Sequence, residues 1–336
     1  MKVCVVGAGA IGGLMGVKLA LAGESLTLIA RGPHLAAIQE RGLKLISQSG
    51  AEQVARELAA TSRISEAGTH DIVILALKAH QIEAVASELP ALFHSETLAV
   101  TVQNGIPWWY FQRYGGEHEG KRLQSLDPNG VLEAHIDAGR IIGSIAYPAA
   151  EVSEPGVIRH LEGNRFPVGE LDGSKSERVK KLSEMFTRAG FKSPVLTDIR
   201  AQIWLKAWGN LSFNPISALT RATLAEIARF PESRELAASM MREAQQIAAK
   251  LGISFRLSVE QRIAGAEAVG EHKTSMLQDL EAGRPLEIEA LVGVFLELGR
   301  LTQTPTPSID AVYACVKLLS ATLTKSERGH ASGRPS

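Results

Sequence analysis

The chain has 336 residues, and 36 Lys plus Arg stand against 36 Asp plus Glu, so its formal net charge is zero; that balance argues against nucleic acid as a partner, since such binders carry a basic excess or stripe. Hydrophobic residues make up 45% and charged residues 21%, the make-up of a folded globular chain rather than a disordered one. Cys4 and Cys315 are too few for a disulfide framework or a zinc cluster, which makes a reducing, cytoplasmic setting the expectation.

Residues 2–6 are a short β-branched run, 7–13 a glycine turn, and 14–22 a helix closed by Gly23. Residues 25–30 are a second strand. Strand, turn, helix and strand in about 30 residues open a parallel βαβ unit. The glycines break the apolar stretch that a cleaved leader would need, and no apolar run reaches the ~18 residues that span a bilayer. The expectation is therefore no leader and no membrane partner. Residues 71–77 form a continuous apolar run, as in strands buried on both faces. Residues 81–92 read as a helix, and 97–102 as a strand. Segments 140–146, 157–161 and 165–169 are strand-like, and 176–189 is helical.

From about Thr197 the pattern changes. Leu, Ala, Glu and Arg recur at helical spacing through residue 250, then over 258–280 and 286–301, with Pro215, Pro231, Pro285, Pro305 and Pro307 as punctuation. The expected fold class is α/β: an N-terminal Rossmann-type parallel-sheet domain over residues 1–195, then an all-helical C-terminal domain over 196–325. Residues 326–336 read as a polar, disordered tail.

Gly7-Ala8-Gly9-Ala10-Ile11-Gly12 fits G-x-G-x-x-G, and it has the strand before it and the helix after it that the motif requires. The first glycine permits the turn, the second lets the backbone approach a pyrophosphate, and the third lets helix and strand pack closely. The helix N-terminus offers unpaired N–H groups to the phosphates. A carboxylate at the end of the second strand would hold the ribose diol of NAD. Here that strand ends Leu28-Ile29-Ala30-Arg31-Gly32, and Arg31 suits the 2′-phosphate of NADP instead. The alternative is a solvated surface arginine.

Lys206, Asn210 and Asn214 are spaced i, i+4, i+8, which on a helix advances only about 40° per step, so they share one face. Amides and an amine among Trp204, Trp208, Leu211 and Phe213 need partners, and a small polar substrate supplies them. A solvated polar stripe is the alternative, and Pro215 argues against helical geometry at Asn214. Ser275 and Glu287 have groups that bind hydroxyls or carboxylates, but spacing alone reads them as a helix cap and a surface charge. Lys78 and Asn104 each follow a strand, where ligands of open α/β sheets sit; ordinary loop chemistry is the alternative. The nine histidines include no H-E-x-x-H pair, and no metal is expected.

Together these pieces resemble the ketopantoate reductase family. Residues 1–13 resemble its cofactor turn and Arg31-Gly32-Pro33-His34-Leu35 its strand-end segment. Leu77-Lys78-Ala79 and Gln103-Asn104-Gly105 are similar to its loop motifs, residues 206–215 to its catalytic helix, and Ser275-Met276-Leu277-Gln278-Asp279 with Leu286-Glu287-Ile288 to its closing motif. The resemblance implies NADPH-dependent reduction of a 2-keto acid to a 2-hydroxy acid, 2-dehydropantoate to pantoate first, as in pantothenate biosynthesis. It implies Lys206 as general acid, with Glu287 beside it in the catalytic set. Asn210, Asn214 and Ser275, with Glu287, are the implied substrate ligands. Gly7, Ala8, Gly9, Ala10, Ile11, Gly12, Arg31, Lys78 and Asn104 are the implied cofactor residues. Residues 1–195 are then the NADP-binding domain and 196–325 the substrate domain.

One stretch departs from the family. After Asn104-Gly105 the chain runs Ile106-Pro107-Trp108-Trp109-Tyr110-Phe111, and strand character resumes only near Ile141. Long loops are often functional. Either the aromatic residues line an altered pocket or a partner interface, or they pack under their own loop. The first option keeps open a related reductase for a larger or more apolar 2-keto acid. A non-catalytic NADP-binding sensor is the reading from another class, although a sensor has no need of Lys206, Asn210, Asn214 and Glu287 together. A homodimer is an assembly open to the helical half.

Overall fold

In β1 (Lys2–Val6), Val3, Cys4, Val5 and Val6 are all buried, so both faces of this strand are covered. The computed structural model describes residues 1–331, and in it β1 leads into α1 (Ala10–Leu21), β2 (Ser25–Ile29) and α2 (Gly32–Arg41). Three short strands follow: β3 (Leu43–Ile46), β4 (Glu52–Ala55) and β5 (Leu58–Thr61). Then come β6 (His70–Leu75), α3 (Ala79–Ile82), β7 (Phe93–Thr101) and α4 (Val131–His135). β8 (Ile141–Ser144), β9 (Ala149–Glu154), β10 (Val157–Glu162), β11 (Val168–Glu170) and α5 (Glu177–Arg188) complete this part.

Seven strands form one sheet in the order β11-β8-β7-β6-β1-β2-β5. All its pairs are parallel except β11 on β8. Val3 sits between Leu26 and Ile72, which places β1 centrally. A second sheet, in the order β4-β3-β10-β9, packs on α1, where a side chain on Gly13 would collide with Ile158. The N-terminal unit is thus an α/β Rossmann-type domain.

Most of this second sheet was not legible as strand. β4 and β9 are largely exposed, so they carry no apolar run, whereas β3 alternates buried and half-buried residues, a period-two signal that the sequence does contain. Boundaries also shift. The expected strand 71–77 ends at Leu75, and 140–146 contracts to Ile141–Ser144. The expected helix 14–22 begins at Ala10, because Gly9 is its N-cap and the motif glycines lie inside its first turns. Residues 81–92, expected as an α-helix, are α3 followed by a tighter 3₁₀ segment, Glu83–Leu92, with Pro90 inside it.

The aromatic stretch packs under its own loop. Trp108, Trp109, Tyr110 and Phe111 are each at most 4% exposed. Trp109 Nε1 donates to Thr101 Oγ1 at 3.0 Å, and Tyr110, Phe111 and Tyr114 make edge and tilted ring contacts. The rings are therefore part of the core of the first unit rather than an exposed aromatic surface.

The described residues after Arg200 contain no strand. They form α6 (Ile199–Thr220), α7 (Leu224–Arg229), α8 (Pro231–Lys250), α9 (Val259–Val269), α10 (Ser275–Glu281), α11 (Val294–Leu301) and α12 (Pro307–Ala331). The compact units are Met1–Arg122 with Asp127–Ile199, and Leu123–Leu126 with the chain from Arg200 onward. Residues 123–126 join the second unit through Glu297, whose carboxylate accepts from the amides of Gln124 and Ser125 at 2.7 and 2.8 Å. Pro231 and Pro307 open helices, as an imino acid can. Pro215, against expectation, lies inside α6; tertiary burial of this apolar helix outweighs the one backbone bond that proline deletes. Of the expected tail, 326–331 continue α12, and 332–336 lie outside the described residues.

Candidate active site

The glycine turn is shaped by close approach. Gly7 has φ +100°, open to glycine, and a side chain there would come within 3.1 Å of the Ala76 carbonyl oxygen. A side chain on Gly12 would overlap the Gly7 carbonyl oxygen. Gly9 is the contrast: nothing lies within 4 Å of where its Cβ would be. The amides of Gly7 and Ala8 donate to the Ile29 carbonyl at 3.1 and 3.2 Å, which ties the turn to the end of β2. Ala10 and Ile11 begin α1, whose N-terminus has no side-chain cap and no acid in its first turn.

The N-terminus of α2 is also uncapped and acid-free, and its N-cap is the exposed Arg31. Two such helix ends and an arginine, with open space beside Gly9, fit the phosphates of a dinucleotide. Lys78 and Asn104 are half-buried, three residues beyond the paired positions Leu75 and Thr101 of β6 and β7. Gln103 Nε2 donates to the Leu75 carbonyl at 2.5 Å and so joins the two loops.

In the second unit, α6 carries Lys206, Asn210 and Asn214 on one face. Its other sides are held by Trp204 and Trp208, both fully buried. Trp208 stacks on Phe255 at 4.2 Å and donates to the Met241 carbonyl at 2.7 Å. Trp204 meets Phe295 edge-on at 5.2 Å. Rotation of the helix is thereby set by large rings on one side, which holds the polar face on the other.

Lys206 is half-buried, and desolvation of its ammonium lowers its pKa to about 8; the charge of Glu287 acts in the opposite sense. Glu287 is itself buried, at 9% exposure, on the strand-free approach to α11. Asn214 is 5% exposed, and its Nδ2 donates to Ser275 Oγ at 3.3 Å. Ser275 is exposed in the first turn of α10, while Thr274, not Ser275, caps that helix by accepting from the Leu277 amide at 3.2 Å. Spacing alone reads Ser275 as a cap and Glu287 as a surface charge; the fold assigns neither. Asn210 is half-buried between Lys206 and Asn214. Glu287, 81 positions further along the chain, comes near enough for its charge to act on Lys206, a proximity that no local periodicity reveals.

Residues 3–173 match the model of the ketopantoate reductase PanE/ApbA family, and residues 198–320 match the model of its C-terminal domain. The chain belongs to the ketopantoate reductase family. A 2-dehydropantoate 2-reductase from Mesorhizobium japonicum is 53% identical over 95% of this chain and 98% of its own length. A crystal structure of a candidate ketopantoate reductase from Ralstonia solanacearum superimposes with a TM-score of 0.91 at 39% identity, covering 96% of this chain and 98% of that one. D-mandelate dehydrogenase, solved with NADH and anilino(oxo)acetate, shares the fold, with a TM-score of 0.82 at 24% identity, covering 96% of this chain and 100% of that one. The chain is thus an oxidoreductase of the 2-dehydropantoate 2-reductase type. Among the described residues no three His, Cys, Asp or Glu side chains gather as metal ligands, and no helix is long and apolar enough to cross a membrane.

Proposed function

We propose that this ketopantoate reductase family member uses NADPH to reduce a 2-keto acid to the 2-hydroxy acid, with 2-dehydropantoate as the first substrate. The observation that carries the reading is the desolvated Lys206 ammonium, held near pKa 8 within reach of the charge of Glu287, on the face that also presents Asn210 and Asn214. A proton donor for a developing alkoxide works best when its pKa lies near the working pH, and burial has brought an ordinary lysine there.

NADPH, when bound, supplies the hydride that reaches C2 of the keto acid. Lys206 donates its proton to the carbonyl oxygen as charge develops there, and the neutral amine then regains a proton from solvent. Glu287 favours the charged form of Lys206 and so keeps the donor loaded. The amides of Asn210 and Asn214 and the hydroxyl of Ser275 bind the polar groups of the substrate and orient its carbonyl. In the first unit, the open side of Gly9 admits the pyrophosphate. Arg31, with no carboxylate at the end of β2, favours the 2′-phosphate of NADPH over the diol of NADH. Residues 1–195 are thus proposed as the cofactor part and 196–325 as the substrate part.

The family's substrate is preferred to a larger, more apolar keto acid because the rings that suggested an altered pocket are buried in the first unit. The test is turnover of a panel of 2-keto acids, 2-dehydropantoate and phenyl-substituted ones among them, with each cofactor. Expected is the highest kcat/KM for 2-dehydropantoate with NADPH. Faster turnover of a phenyl-substituted acid would replace the substrate, and NADPH binding without turnover of any keto acid would favour a sensor.

A further inference from the structure

Asn210, Asn214 and Ser275, the proposed substrate ligands, are neutral, and Glu287 is a buried acid. A 2-keto acid carries a carboxylate one bond from the carbon whose oxygen Lys206 protonates. Lys206 is committed to that oxygen and becomes neutral as it reacts. A carboxylate taken out of water beside another acid is costly unless a cation meets it. The polar face of α6 therefore calls for a second cation close to Lys206.

Gly209 marks its place. It is buried in the middle of α6, three residues after Lys206 and one before Asn210. On a helix it stands about 60° round the axis from Lys206 and about 4.5 Å along it, on the side away from Asn210. Glycine inside a helix is less stable than alanine. Here the space of the alanine methyl is taken. A Cβ on Gly209 would overlap Nη2 of Arg262 and stand 2.8 Å from its Cζ and 3.1 Å from its Nε. Arg262 comes from α9, which is anchored by the buried Val259, Ile263 and Ala266, and its Nε is itself buried. The guanidinium thus rests on the backbone of α6 beside Lys206. Arg200, the other arginine of α6, lies about 9 Å back along the axis and about 120° round it.

We propose that Arg262 binds the carboxylate of the 2-keto acid, and that Gly209 makes room for it to do so. The proposal rests on the function proposed above for Lys206 and adds the charged ligand which that function lacks. Two parallel N–H bonds from a planar guanidinium hold both carboxylate oxygens, which fixes the plane of the keto acid and the side from which its carbonyl meets Lys206. The guanidinium stays charged throughout the range in which Lys206 titrates, so recognition of the carboxylate does not change with the protonation of the donor. Without a Cβ at Gly209, the guanidinium settles against the helix, within one turn of Lys206.

The test pairs two substrates with three variants at saturating NADPH: 2-dehydropantoate, and its carboxamide, which keeps the keto group and loses the charge. Arg262→Gln is expected to raise KM for the acid about ten- to a hundredfold with kcat within about threefold, and to leave kcat/KM for the carboxamide within about twofold. Arg262→Lys keeps the charge without the fork and is expected to regain part of the loss. Gly209→Ala keeps the arginine and pushes it aside, so the same selective loss is expected, and it serves as the test should Arg262→Gln fail to fold. Equal losses for acid and carboxamide would make Arg262 a packing residue of α6 and overturn the proposal, as would an unchanged KM for the acid in Arg262→Gln. Either result leaves the reductase reading standing. Absence of turnover of any 2-keto acid by the wild-type protein removes that reading, and this proposal with it.

Discussion

The glycine turn of the first unit, proposed above to hold the cofactor, is made chiefly of main chain: Gly7 and Gly12 allow close approach, Gly9 stands open, and two helix ends are uncapped. The polar face of α6 in the second unit is made of side chains: an ammonium near pKa 8, a buried carboxylate and an amide bonded to a hydroxyl. A backbone site is damaged by bulk, because a Cβ displaces carbonyls that have no rotamer to escape into. A side-chain site is damaged by losing charge or a donor, with the fold left standing or even relieved. The same substitution, to alanine, therefore means opposite things in the two units.

The sharpest break of this comparison is Lys206→Ala. Turnover is expected to fall about 10²- to 10⁴-fold, with NADPH affinity unchanged in a direct titration. Lys206→Met goes further. The folded protein disfavours the ammonium, whose pKa drops from 10.5 to about 8, so the folded state is penalised while the group is protonated and recovers as pH rises from about 8 toward 10.5. At pH 7 the methionine variant is expected to melt at a higher temperature than the wild type while losing activity.

Next in size is the pair of glycine substitutions. Gly12→Ala is expected to weaken NADPH about a hundredfold and to lower the melting temperature, since the turn must shift. Gly9→Ala has room in the fold, so its melting temperature is expected to stay put while affinity still falls. Equal melting losses in both would show that the open side of Gly9 is not a ligand face. Arg31→Ala is expected to reduce the preference for NADPH over NADH about ten- to a hundredfold, read as a ratio of kcat/KM values.

The smallest effect sharpens the second unit alone. Lys206 must be protonated to donate, so kcat is expected to fall as pH rises through about 8. Glu287→Gln removes the charge that raises this pKa, and the midpoint is expected to move down by about one unit. A midpoint that stays in place would remove Glu287 from the electrostatics of the donor.

Legibility differed along the same line. The motif at 7–12 and the buried strands β1 and β6 were read from sequence because their signals are local: a fixed glycine spacing, and apolar runs flanked by turns. His34 and Gln103 stand within the motifs, but their bonds to Gly156 and Leu75 were not legible, since each partner is a backbone group distant in the chain. The exposed strands β4 and β9 have no apolar pattern because their pairing is satisfied by backbone bonds alone. Pro215 misled for a related reason: residue preference is a weak local term, and the packing of Trp204 and Trp208 overrides it.

What the residues determined unaided was the sheet-then-helix order, the glycine turn between β1 and α1, and the common face of Lys206, Asn210 and Asn214, all set by periodicities of a few positions. Tertiary structure alone decided that the charge of Glu287 acts on Lys206, that Ser275 meets Asn214, and that the rings at 108–111 are core rather than exposed surface. Those outcomes depend on which surfaces lose water together, and desolvation is a property of the packed chain that no short stretch of sequence carries.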